Sequence, residues 1–281
     1  MLPEDIVRHY SRDDVAQEIA RFSRGRWVAI HCAGEVRPVM LRYMPTTHLP
    51  IQISSPADVR NVLEELNVLR PRSFYASIHR YVWRDNVPAR MVSSMPSWDV
   101  DLLTGRWEKV VETAQLMVSL LEKHGVVKSV IVKRSGEGMH VHIHEGAFSP
   151  HLIAELGPLN VAYAVTEYVL SRMGGLDRDV RVENKVDPAR VFTSPLSLHR
   201  TLDRVCVCLD PDRVSEFAPE WSSPENFRHY VGWDAYTAGE ADDLAKKAYD
   251  TVGPYPIRRP RRRVHPPLDY TIRRLQRRLG W

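Results

Sequence analysis

The chain has 281 residues, 43% of them hydrophobic, and a formal net charge of +4, which is enough apolar material for one large core with or without an appendage. No run of 18 apolar residues occurs, and the opening MLPEDIVRHYSRDDVAQ has neither the charged nor the apolar region of a secretory signal; a membrane span is excluded and a cytoplasmic location is expected. Three cysteines, Cys32, Cys206 and Cys208, are too few for a four-ligand structural zinc site and read as small buried hydrophobes.

In chain order, helical spacing of apolar residues begins with DDVAQEIARFS (13–23). Strands follow at GRWVAIHC (25–32) and VRPVMLRYM (36–44), then a helix at PADVRNVLEELNVL (56–69) and a strand at RSFYASIHRYV (72–82). SWDVDLL (97–103) is a further strand, and a long helix from about Trp107 to Lys123 stops at Gly125. Two strands, VVKSVIVKRS (126–135) and MHVHIH (139–144), meet at SGEG, ahead of a helix over 151–175 that stops at Gly174–Gly175 and a strand at VCVCL (205–209). The mixture reads as α+β. Because sequential strands usually lie close in a sheet, this order brings Asp99, Asp101 and the SGEG turn into one neighbourhood.

Asp99 and Asp101 pose the first chemical question. Side chains alternate along a strand, so the two carboxylates project together, and like charges that close stay ionised only with a cation between them. A hard divalent ion, Mg²⁺ or Mn²⁺, held by one or two carboxylates and substrate phosphates fits that need. In KRSGEGMHVHIH (133–144), Gly136 and Gly138 permit a turn whose backbone N–H groups point at an anion, and Ser135 adds a hydroxyl. His140, His142 and His144 share a strand face, so a three-histidine metal site is the rival reading. In VFTSPLSLHRTLDRV (191–205), Ser197 and His199 lie on one side if the segment is extended, with Arg190, Arg200 and Arg204 nearby.

Taken in order, SWDVDLL, SGEGMH and SPLSLH followed by Arg-Thr, with 34 residues from Asp101 to Ser135, resemble the motif set of the archaeo-eukaryotic primases, specifically the small catalytic subunit. The likeness runs from about residue 20 to about 215, including RPRSFYASIHRYV (70–82). It implies a primase-like catalytic fold with mixed sheets and flanking helices over 1–252, and template-dependent nucleotidyl transfer that initiates or extends a strand on single-stranded DNA. It also implies two divalent ions, Mg²⁺ or Mn²⁺, on Asp99, Asp101 and a third aspartate. Nucleoside triphosphate would be gripped by Ser135, Gly136, Gly138, His140, Ser197, His199 and Arg200. For the third aspartate, Asp179 fits the family's strand if two residues are inserted after it, with Asp187 second; an ungapped count back from His199 lands on Arg181.

The chain departs from the family at Glu137, where many relatives carry Arg, at Thr193, where some carry a cation, and in lacking the zinc knuckle. Two further readings follow: a gap-filling polymerase for DNA end joining, acting on a recessed template, and a catalytically decayed primase-like subunit that binds nucleic acid. A primase large subunit or another replication or repair protein is the protein partner such a chain implies.

The remaining signal is the tail. Residues 256–281 carry nine Arg and one Asp, so the rest of the chain is acidic. A Pro-rich stretch from 253 separates this segment, in which Leu268, Ile272, Leu275 and Leu279 make one helical stripe. Arg261, Arg262, Arg263, Arg273, Arg274 and Arg277 are the expected nucleic-acid contacts, salt-sensitive and directed at phosphates.

Overall fold

The computed structural model describes residues 1–34, 36–175 and 177–257; the six tail arginines singled out above lie outside the described residues. Two helices, α1 (Pro3–Ser11) and α2 (Asp13–Ser23), lead into β1 (Arg26–Cys32) and β2 (Val39–Leu41). α3 (Pro56–Glu65) starts at Ser55, whose hydroxyl accepts from the Asp58 N–H while Asp58 reaches back to the Ser55 N–H, a reciprocal cap. β3 (Pro71–Arg84) and β4 (Val87–Ser94) form a hairpin. Asp85 and Asn86 both adopt positive φ there, 50° and 59°, as the tight turn of a two-residue hairpin requires.

β5 (Ser97–Leu102), α4 (Glu108–Lys123), β6 (Val130–Ser135) and β7 (Gly138–Ile143) come next. The helix expected over 151–175 is two helices, α5 (Pro150–Leu156) and α6 (Pro158–Arg172), divided at Gly157 with φ 84° and restarted by Pro158 at the first helical turn. β8 (Val180–Asn184), β9 (Val191–Thr193), β10 (Val207–Leu209) and α7 (Asp242–Val252) complete the described elements.

One sheet has the order β2-β1-β3-β4, with β9 pairing to β3; the other has the order β10-β6-β7-β5-β8. Every pairing is antiparallel, which corrects the expectation of mixed sheets. The reason lies in the crossover: β5 and β6 run the same way, as a helical connection demands, but β7 slots between them and pairs antiparallel with both. α2 packs on β1 and β3 of the first sheet with α1 and α3 against it, α4 packs on the second sheet, and α6 reaches both through β4, β5 and β8.

The two sheets are joined by buried polar links. Lys133 of β6 is fully buried, and its ammonium donates to the Thr193 carbonyl of β9 at 2.9 Å. Arg26 of β1 pairs with Glu145, which follows β7, at 2.6 Å. A cleft remains between the sheets next to the first of these links.

Candidate active site

The floor of the cleft is β5. Its alternation sends Trp98 and Val100 into the core, where the Trp98 indole donates to the Thr166 carbonyl of α6. That leaves Asp99 and Asp101 facing the cleft, as expected from strand geometry. Burial pushes the Asp99 carboxyl up to about 6, with the Asp101 charge as the next cause. His140 lies opposite Asp99 on β7, its Nε2 3.5 Å from a carboxylate oxygen. Burial holds that imidazole well below its usual range, so His140 is a neutral neighbour and not the partner of an ion pair.

The SGEG segment is a two-residue hairpin turn closing on the Ser135–Gly138 pair, with Gly136 at φ 67°. Both glycines are sterically required. A Cβ on Gly136 would sit 2.7 Å from the His199 ring, and one on Gly138 would sit 2.8 Å from the Val100 carbonyl and 3.3 Å from the Asp101 carboxylate. The turn is therefore pressed onto both the aspartate strand and His199. Ser135 donates to the Thr193 hydroxyl at 3.1 Å.

His199 is neutral as well. Burial, then Arg200 and Arg72, lowers it to about 4. Its Nδ1 accepts from the Leu202 N–H at 3.0 Å and the Thr201 N–H at 3.3 Å, which leaves the proton on Nε2, the nitrogen beside Gly136. Arg72 clamps the same loop from β3, donating to the His199 and Leu202 carbonyls, each at 2.9 Å. The resulting cavity, about 200 Å³, is lined by Asp99 and Asp101 together with Lys185, Ser135, Gly138, His140, Thr193, His199 and Arg200.

Several expected residues stand elsewhere. Ser197 is fully buried and turned away from the cleft: its hydroxyl accepts from the Phe74 N–H at 2.8 Å and tethers the loop to β3. The segment is not extended there, because Leu196 takes φ 57° and Ser197 closes a turn onto the Ser194 carbonyl. Asp179 precedes β8 and is not beside the pair; it accepts from the Thr104 hydroxyl and packs on Gly105. Asp187 is held by Arg190, at 2.6 and 3.0 Å. The register of β8 instead places Arg181 opposite Asp101 and Glu183 opposite Asp99. The three histidines do not converge either: His142 bonds Ser97, and His144 faces Asp234 and stacks on Tyr236.

Glu183, Arg181, Lys185, Tyr75 and Phe192 belong to the cleft or its rim and were not among the expected residues. The signal for the first three was the alternation Arg181, Glu183, Lys185 along one face of an unrecognised strand.

The donor set bears on which cation fits. Two carboxylates are the hard oxygen ligands that a single Mg²⁺ or Mn²⁺ uses when substrate phosphates and water supply the rest. Among the described residues no three His, Cys, Asp or Glu side chains group to hold a metal. One ion fits the pair; the further carboxylate that faces it, Glu183, is already ion-paired with Arg181 and Lys185. Among the described residues no helix is long and apolar enough to cross a membrane.

No protein-family model matches the sequence, and no curated protein matches it. Among solved structures the chain is similar to the polymerase domain of Mycobacterium tuberculosis ligase D in complex with DNA, with a TM-score of 0.55, 13% identity and 90% of each chain covered. At that identity the likeness is one of fold: the two share an α+β architecture nearly end to end.

Proposed function

We propose that the cleft binds a nucleoside triphosphate with a divalent cation, Mg²⁺ or Mn²⁺, and joins the nucleotide to a strand terminus paired with a DNA template. One observation carries this reading: a carboxylate pair, a glycine turn and a neutral histidine donor converge in one cleft. The fold is shared with the polymerase domain of ligase D, a structure solved in complex with DNA.

Asp99 and Asp101 would hold the cation, which when bound screens the polyphosphate charge and favours departure of pyrophosphate. The protein's own groups then have distinct tasks. The N–H groups of the Gly136 turn offer donors to phosphate oxygens, and the Ser135 hydroxyl joins them by turning from Thr193. His199 donates from Nε2 without adding charge, and its orientation is fixed by the two N–H groups on Nδ1. Arg200 supplies the fixed positive charge, and Gly138 allows the phosphate turn to approach the aspartates closely.

The test is incorporation of labelled nucleotide with Mg²⁺ or Mn²⁺ on two substrates, a bare single-stranded template and a recessed end carrying a 5′-phosphate. Asp99→Ala should lose synthesis by about 10²-fold or more with DNA binding retained. Unchanged synthesis in that variant would remove Asp99 from the chemistry. Preference for the recessed, phosphorylated end would favour end-joining gap filling over priming. A second reading, nucleotide binding without transfer, is favoured by Arg181 standing opposite Asp101. Calorimetry that shows metal-dependent nucleotide binding, with no incorporation on either substrate, would select it.

A further inference from the structure

Strand β8 lays a row of alternating charge beside the aspartates. Arg181 Nη2 is 3.2 Å from an Asp101 oxygen, and its Nε is 3.0 Å from Glu183. Lys185 Nζ is 2.7 Å from the same Glu183 oxygen and 4.0 Å from Asp99. The one further carboxylate facing the pair is therefore held between two cations. The side chain directly across from Asp101, within about 5 Å at Cβ in such a pair, is itself a cation.

We infer that Arg181 is a resident counter-ion, standing where a second divalent cation would otherwise be held, so that the cleft takes one metal ion with its nucleotide. The inference rests on the nucleotide–metal reading of the cleft given above.

The chemistry of arginine makes the arrangement durable. A guanidinium does not lose its proton in proteins, so no change of pH converts Arg181 into a neutral or metal-binding group. It also satisfies Asp101 and Glu183 at once, and a metal seeking both carboxylates must displace two ion pairs. The other acidic candidates have partners of their own. Asp179 is engaged by Thr104 and Asp187 by Arg190. With three carboxylates and two cations in the row, the face carries a net charge of about −1 before metal binds. That balance suits a single cation arriving with a triphosphate.

The experiment counts manganese. Mn²⁺ bound per chain is measured by electron paramagnetic resonance titration of the full chain, saturated with a non-hydrolysable deoxynucleoside triphosphate analogue. It is run for wild type, Arg181→Asp and Arg181→Met, with thermal melts to establish that each is folded. The arginine is 52% exposed, so neither change opens the core. Wild type should bind one ion and Arg181→Asp two. Arg181→Met, which removes charge without adding a ligand, should keep one ion and bind it about tenfold tighter. Two ions on wild type, or a single ion on a folded Arg181→Asp with unchanged affinity in Arg181→Met, overturns the inference. An ion on Arg181→Asp with none on wild type upholds the counter-ion while refuting the function proposed above. No ion on any of the three refutes both.

Discussion

Asp99→Asn should make the protein more stable while disabling it. In the folded chain the Asp99 carboxyl is raised from 3.8 to about 6 by burial and by Asp101. The unfolded chain therefore gives up the proton more readily. Below about pH 4 both states hold it and Asp99 contributes no penalty; between about 4 and 6 the penalty grows; above about 6 it is complete. A shift of about two units corresponds to about 3 kcal/mol. The side chain is 21% exposed, so the fully ionised penalty is set at about 2–3 kcal/mol. Asparagine keeps the shape and removes the charge. At pH 7.5, in chelator, urea denaturation should show Asp99→Asn more stable by about 2–3 kcal/mol, equivalent to about 5–10 °C in Tm for a chain of this size. At pH 4 the two proteins should coincide within about 0.5 kcal/mol. Saturating Mg²⁺ with nucleotide should close the gap at pH 7.5 by stabilising wild type alone, by about 2.7 kcal/mol at a hundred times Kd. A variant that is less stable than wild type at pH 7.5, or whose advantage is the same at both pH values, would refute the argument that an uncompensated carboxylate pair strains this fold.

Three other substitutions separate the site from its scaffold. Gly138→Ala drives a methyl against the Val100 carbonyl and the Asp101 carboxylate; it should cost about 1–3 kcal/mol in urea denaturation and weaken nucleotide binding by more than tenfold in calorimetry. Ser197→Ala strips the buried Phe74 N–H of its acceptor and should cost about 1–3 kcal/mol, yet leave nucleotide affinity within twofold, since the hydroxyl does not face the cleft. Asp179→Asn should leave manganese affinity unchanged, whereas Asp101→Asn should weaken it by tenfold or more; an equal loss in both would return Asp179 to the metal site.

The sequence exposed the chemistry better than the architecture. Period-two alternation put Asp99 and Asp101 on one face because a strand that buries Trp98 and Val100 must turn its odd positions outward. The glycine turn was legible for a similar reason: a two-residue hairpin needs a residue at positive φ, and Gly136 supplies it. What local pattern did not carry was pairing. Arg181 and Glu183 face the aspartates only through the register of β5 with β8, fixed by contacts 80 residues apart in the chain, as in the Arg181–Asp101 pair. Ser197 was misjudged because SPLSLH looks extended in isolation, whereas Leu196 enters the left-handed region to close a turn. Strands β8 and β9 are short and carry polar residues, so their alternation was too brief to stand out. In the hairpin between β3 and β4 the signal is Asp85-Asn86, a turn pair suited to positive φ.

The Lys133 tether bears on how the cleft can move. Its ammonium lies 4.4 Å from the Phe22 ring centroid and 5.7 Å from that of Phe192, with the Thr193 carbonyl as its hydrogen-bond acceptor. Prising the two sheets apart there would break that hydrogen bond and pull the ammonium from both rings at once. A clamshell motion is thus disfavoured, and the jaws are effectively riveted at their hinge. Whatever the cleft binds therefore meets a slot whose width is held at this link.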